Sequence, residues 1–138
     1  MFNINEEYKV LSLLHAEDKT ASGNSTGVAV EGYEEDMIVI LDVGTVSGTL
    51  PTLDVVVKTS DASGGTYTTV ATFGQVTAAS KVGAVSLSVE GLNSASDEQK
   101  YVRVDYTIGG TTPHFNMSVV ALAKVKIAQA SLNASTPA

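Results

Sequence analysis

The groups with which this 138-residue chain could do chemistry are few: two histidines, one arginine and fifteen acidic side chains. His15 is followed by Glu17 and Asp18, a spacing that could hold a metal ion or relay a proton. At the end of an apolar run, however, it reads as a polar turn closing a first strand. His114 lies between Pro113 and Phe115 with no carboxylate nearby in sequence to fix its tautomer. Catalytic and ligating histidines usually have such a partner, so His114 is expected at a surface or interface. Glu31, Glu34, Glu35 and Asp36 crowd the approach to the most apolar segment. Oxygen clusters suit calcium, but this run lacks the spaced Asp/Asn pattern, and charges at strand mouths more often guard against edge pairing. Asp61 in Asp61-Ala62-Ser63-Gly64-Gly65-Thr66 is likewise a turn residue first. Arg103 stands apart as the sole guanidinium, two residues before Asp105. It can make a bidentate pair across a sheet or across a subunit contact.

No reaction class gathers these groups. Paired carboxylates for glycoside cleavage do not fall where strand alternation would join them in an aromatic cleft, and no Gly-rich phosphate signature occurs. Tyr67 and Tyr101 are the only aromatics expected on outward positions, a thin platform for sugar stacking. The absence of cysteine excludes disulfides, thiolate metal sites and thiol nucleophiles. Neither a cofactor nor a metal is expected.

The formal charge of -7 and the scattered lysines leave no basic stripe, so nucleic acid and anionic membranes are not expected partners. No apolar run approaches the roughly twenty residues that span a bilayer, and the first residues lack the pattern of a secretory leader. A soluble chain is expected. Its length suits one domain, able to bury about two-thirds of its extended surface.

Short stretches rich in Val, Ile, Thr and Tyr recur between Gly, Ser, Asn and Asp clusters, so an all-β fold is expected. About eight strands are expected: Tyr8-Leu14, Thr26-Val30, Met37-Val43, Leu53-Ser60, Tyr67-Phe73, Ala84-Val89, Tyr101-Ile108 and Phe115-Lys126. Side chains alternate across a strand. Leu53, Val55, Val57 and Thr59 therefore oppose Asp54, Val56, Lys58 and Ser60, and Val102, Val104, Tyr106 and Ile108 oppose Tyr101, Arg103, Asp105 and Thr107. Met37-Ile38-Val39-Ile40-Leu41 is apolar on both faces, as for a strand covered on both sides by its own domain or by a neighbouring subunit. Hairpins are expected at Gly64-Gly65 and Gly109-Gly110, with a longer connection over 44–51. The expected architecture is a single-domain antiparallel β-sandwich, jelly-roll-like, or a partly closed barrel. It would occupy residues 8–127, between an N-terminal arm (1–7) and a flexible C-terminal tail (128–138).

Two stretches resemble small structural proteins of tailed-phage particles. One runs from Gly32-Tyr33-Glu34 through the apolar strand to Val43-Gly44, then Leu53 to Asp61 and Tyr67 to Val70; the other is Lys100 to Gly110. The resemblance covers roughly residues 30–125, with Tyr67 where such proteins often carry Trp. It implies a virion component, most specifically a capsid decoration or cement protein, made in the host cytoplasm and carried on the capsid surface without enzymatic activity. It would bind the major capsid protein and itself, as a homotrimer at local three-fold positions. Interface residues would include Phe2 and Ile4 of the arm together with Tyr33, Tyr67, Tyr101, Arg103 and His114. The alternatives are a neck or tail component of the same particle, a carbohydrate-binding module, and lastly a hydrolase, which would require a cleft holding a histidine against a carboxylate.

Overall fold

The computed structural model describes residues 8–30, 33–88 and 100–125. Phe2, Ile4, the arm 1–7 and the tail 128–138 lie outside the described residues, as do Glu31, Gly32 and residues 89–99. The described chain is all-β: β1 (Tyr8–Lys19), β2 (Gly23–Asn24), β3 (Val28–Ala29), β4 (Tyr33–Ser60), β5 (Thr68–Thr72), β6 (Lys81–Ser88) and β7 (Tyr101–Val125).

The organising element is a ribbon. β4 and β7, of 28 and 25 residues, stay paired antiparallel from Tyr33↔Val125 to Ser60↔Tyr101. Beside residues 33–47 of β4, the order is β1-β7-β4-β6, and beside residues 52–60 it is β2 and β3, then β7-β4-β5. The ribbon folds over at its middle, so one hydrogen-bonded sheet of seven strands becomes two facing layers. We refer to them as the first and second layers. The fold is an antiparallel β-sandwich of jelly-roll type, not closed into a barrel.

The fold-over differs from the expected loops. Residues 44–51 belong to β4, and Gly109-Gly110 is a bend within β7, not a hairpin between separate strands. The pairing crosses this region with register shifts at Val43/Val46, Ser47/Thr49 and Thr49/Thr52. Gly48 and Gly110 face each other's strand with φ of 108° and 109°. A Cβ on Gly48 would lie 2.7 Å from the Thr112 carbonyl oxygen, and one on Gly110 2.7 Å from that of Leu50. Both positions need glycine for conformation and for space. A hairpin does form at Gly64-Gly65, between β4 and β5, with the Gly65 N–H donating to the Ala62 carbonyl at 3.0 Å.

Two further boundaries moved for local reasons. The expected strand Thr26-Val30 is reduced to β3 (Val28–Ala29), and β2 (Gly23–Asn24) forms ahead of it, with a break between the two. At the break the Ser25 N–H donates to the Val104 carbonyl at 2.8 Å, and the Ser25 hydroxyl accepts the Val104 N–H at 2.9 Å, so a side chain replaces a ladder bond. The first strand runs on to Lys19 instead of turning at His15, because its ladder with β7 survives two register shifts, at Ser12/Leu14 and Leu14/Glu17.

Alternation locates the core. Met37, Val39, Leu41, Val43, Met117, Val119, Ala121 and Ala123 line the inner side of the first layer. They form one cluster with Leu53, Val55, Val57, Val102, Val104 and Tyr106 of the second layer. Each buried aliphatic side chain of this size contributes about 1.5–3 kcal/mol by leaving water. The expected inward rows are those observed, with Phe115 fully buried at the fold-over. Ser60, expected on the outward row, is fully buried too; its carbonyl accepts the Lys100 N–H at 2.8 Å and its hydroxyl the Ala62 N–H at 3.3 Å.

Candidate functional site

The outward residues of the second layer make a closed polar cluster. Arg103 Nε and one terminal nitrogen donate to the two Asp105 carboxylate oxygens at 2.7 and 3.1 Å. The bidentate pair thus runs along β7, not across the sheet. The cross-strand partner is Lys58, whose Nζ lies 3.1 Å from Asp105 Oδ2. Burial works against the charge on Asp105, but hydrogen bonds from Arg103 and Lys58, with their positive charges, outweigh it and hold the carboxyl below its usual range. The hydrogen bond to Asp105 also raises the Arg103 guanidinium above its ordinary value.

Tyr67 roofs this cluster. Its ring lies 4.1 Å from the Arg103 guanidinium carbon, and its hydroxyl donates to the Ser63 carbonyl at 2.9 Å. Burial pushes its phenol upward. Gly27 leaves room for it, since a Cβ there would overlap the Tyr67 hydroxyl oxygen. One ring face is therefore taken by a cation, which removes it as an open stacking platform. Tyr101 is half-buried beside Gly27, and Tyr33 is half-buried against the core.

The histidines sit near the fold-over and in β1. Asp18, 96 residues away in sequence, brings its Oδ2 to 2.8 Å from His114 Nδ1. Their strands are adjacent, with Asp18 opposite Asn116. This carboxylate was invisible to a search for near neighbours. Both side chains are about half exposed, at 49% and 47%, and Ser47 lies opposite His114 on β4. His15 Nδ1 is 3.1 Å from the Ser12 hydroxyl, while Glu17 pairs with Lys19. Among the described residues no group of three or more His, Asp or Glu side chains is placed to hold a metal ion. His15 and Glu17 do line one cleft of about 340 Å³, with Ser12, Asn24 and Ser25. There, however, His15 meets Ser12 and Glu17 is taken by Lys19, and the His114–Asp18 pair and the Arg103 cluster lie elsewhere.

The outward side of the first layer is different in kind. Ile38 pairs laterally with Leu122 and Ser86, Ile40 with Val120 and Ala84, and Asp42 with Ser118 and Val82. Val10 and Ser12 of β1 extend the first two rows. Val10, Ile38 and Val82 are 69%, 41% and 71% exposed. Ile40, Val120 and Leu122 are half-buried. The result is an aliphatic patch of roughly 300–400 Å², estimated from strand spacing and rise, rimmed by serines and by Asp36 and Asp42. Patches of this size on a single domain are commonly interaction sites. Met37-Leu41 thus has one face in its own core and the other in the open. No local sequence signal marks Val10, Val120, Leu122 or Val82, because only lateral pairing puts the first three in the rows of Ile38 and Ile40 and sets Val82 beside Asp42, one row on.

No protein-family profile and no curated protein matches the sequence. Solved structures do share the fold. The infectious bursal disease virus VP2 subviral particle superposes with a TM-score of 0.59 at 9% identity over 86% of this chain. The SPBc2 prophage-derived protein YomS gives 0.51 at 10% identity over 86% of this chain and 93% of its own. PBSX exported protein XepA gives 0.52 at 15% identity over 91% of this chain and 39% of its own. The chain spans about a third of the virus protein, covering 32% of it, but nearly all of YomS. At these identities what is shared is the fold.

Proposed function

We propose that this chain is a non-enzymatic structural component of a phage particle, a capsid decoration or cement protein that lies on the shell and strengthens contacts between copies of the major capsid protein. The observation that carries the proposal is the exposed aliphatic face of β1, β7, β4 and β6. Among the described residues it is the one extensive outward surface whose side chains are not satisfied within the chain, and it suits macromolecular contact better than chemistry. The fold likeness to a virus particle protein and to prophage-derived proteins supports the same reading, as does the resemblance of residues 30–125 to small phage structural proteins.

Binding through a patch of this size is weak for one copy, since standard interfaces bury about 800 Å² on each side. A homotrimer on local three-fold positions of the shell would hold several capsid subunits at once and gain affinity through effective concentration. The serine and aspartate rim would orient the contact, and the acidic surface would keep unbound oligomers from clumping in the host cytoplasm. Neither nucleic acid nor membrane has a role in this mechanism.

The test mixes purified protein with shells that lack it and measures saturation stoichiometry and the temperature of shell rupture. Saturation at three-fold positions with a raised rupture temperature is expected. Saturation without that rise leaves decoration and removes reinforcement, and no binding at all overturns the proposal. A particle-free mass of six or twelve copies would instead favour a ring in the neck or tail.

A further inference from the structure

The two edges of the first layer are treated unequally. β1 is interrupted by two register shifts and ends in Glu17, Asp18 and Lys19, the usual protection against pairing with a foreign strand. β6 pairs with β4 without any shift from Lys81 to Ser88. After Lys81 it carries no charge and no proline, and among the described residues it pairs with no strand on its far side. Beside its first residues opens a cleft of about 260 Å³, with Leu41, Phe73, Val76, Gly83 and Lys81 in its lining. A dry cavity of about 150 Å³ already accepts benzene, so this one has room for a phenyl side chain. An unprotected flat edge next to an apolar side pocket is the arrangement used to capture an extended peptide.

We propose that this edge and cleft receive residues 1–7 of a second copy of the chain, with Phe2 seated in the cleft. This deepens the self-association in the proposed function and rests on that part of it. Phe2 and Ile4 alternate with Asn3 and Asn5, the period of a strand with one apolar side. Glu6 and Glu7 follow and complement Lys81 at the mouth of the cleft. Antiparallel entry, like every pairing in this sheet, sets Phe2 opposite Gly83 and Asn3 opposite Val82, and carries the acids past Lys81.

The donor must be another copy. Tyr8 pairs with Lys124 at the far edge of the layer, whereas Gly83 is level with Leu41 and Val119. Crossing from β1 to β6 takes three strand spacings, about 14 Å, and the offset from Lys124 to Val119 adds about 17 Å along the strands. The straight path is therefore about 22 Å. Phe2 precedes Tyr8 by six residues, which reach about 20 Å fully extended and leave nothing to lie along β6.

The experiment uses the full chain, by sedimentation equilibrium together with thermal melting. Wild type is expected to self-associate. Phe2→Ala and Gly74→Leu are each expected to weaken association about tenfold or more at unchanged melting temperature; a Cβ on Gly74, at the cleft rim, meets nothing within 4 Å. An equal mixture of the two variants is expected to associate better than either alone, because intact arms of one meet intact clefts of the other. A monomeric wild type, unaltered association of both variants, or a mixture no better than its parts overturns the proposal. Should Gly74→Leu not fold, the pair Asn3→Cys and Val82→Cys decides in a chain with no native cysteine. A disulfide between chains is expected, and one within a chain, or none, overturns the exchange. These measurements need no capsid, so a wild-type chain that binds shells without self-associating rejects arm exchange alone, whereas a self-associating chain that binds no shell rejects the shell-binding reading alone.

Discussion

The two outer faces of the sandwich are built from the same two long strands, yet their chemistry is opposite. On the second layer, Lys58, Arg103 and Asp105 satisfy one another beneath Tyr67, so that face is finished within the chain. On the first, Val10, Ile38, Ile40, Val120 and Leu122 lie side by side with nothing over them among the described residues. A charge network that is closed gains little from a further partner, since its desolvation would have to be repaid. An aliphatic face gains whatever area a partner covers. The closed face is expected to contribute stability and, under the proposed function, the open one attachment.

The joint between the layers is where the difference can be broken most severely. Gly110→Ala forces a Cβ to 2.7 Å from the Leu50 carbonyl at a φ of 109°, and a loss of about 3 kcal/mol or more in unfolding free energy is expected by chemical denaturation. Both faces should fail together, and a variant that melts like wild type would show that the fold-over is soft. Next comes the attachment face. Ile38→Glu places a charge at the centre of the patch without touching the core, and shell affinity is expected to fall about 30-fold or more, roughly 2 kcal/mol, at a melting temperature close to wild type. Retained affinity would move the contact elsewhere.

The polar face should respond in the reverse sense. Arg103→Ala strips Asp105 of its bidentate partner and Tyr67 of its cation, and about 1–2 kcal/mol of stability is expected to go, with shell affinity unchanged. Loss of affinity at full stability would transfer attachment to this face. The smallest effect is in pH. The folded Asp105 carboxyl titrates below its unfolded value, so the stability it contributes is present above about pH 4 and is lost as the pH falls through the lower, folded value. About 1 kcal/mol is at stake for a partly exposed pair of this kind. Acid denaturation curves of Asp105→Asn should therefore lie closest to those of wild type at the acid end and diverge from them above pH 4. Parallel curves throughout would leave the carboxyl without that role.

What could be read in advance followed from short-range rules. Alternation in Leu53-Ser60 and Tyr101-Ile108 separated buried from outward side chains because a strand's period needs no knowledge of its partner. The pair Arg103 and Asp105 was visible at a spacing of two for the same reason, although its direction along the strand and its tie to Lys58 were not. Gly109-Gly110 reads as a hairpin in the sequence and is a bend within β7 in the structure. Local geometry is alike in both; what differs is whether the flanking strands pair with each other or continue along a common partner, here β4. His114 and Asp18 remained apart on paper because their contact depends on β1 lying beside β7.

From residue order alone came the all-β class, the two-sided apolar strand Met37-Leu41, the inner rows and the poverty of reactive groups, since each depends on composition or on a period of two. Only the tertiary arrangement decided that one ribbon would fold into both layers, that Val10, Leu122 and Val120 would join Ile38 and Ile40 in a single outward patch, and that β6 would be, among the described residues, an unpaired edge beside a cleft. The physical reason is that surfaces are made by lateral neighbours, and lateral neighbours in this sheet are drawn from strands far apart in the chain.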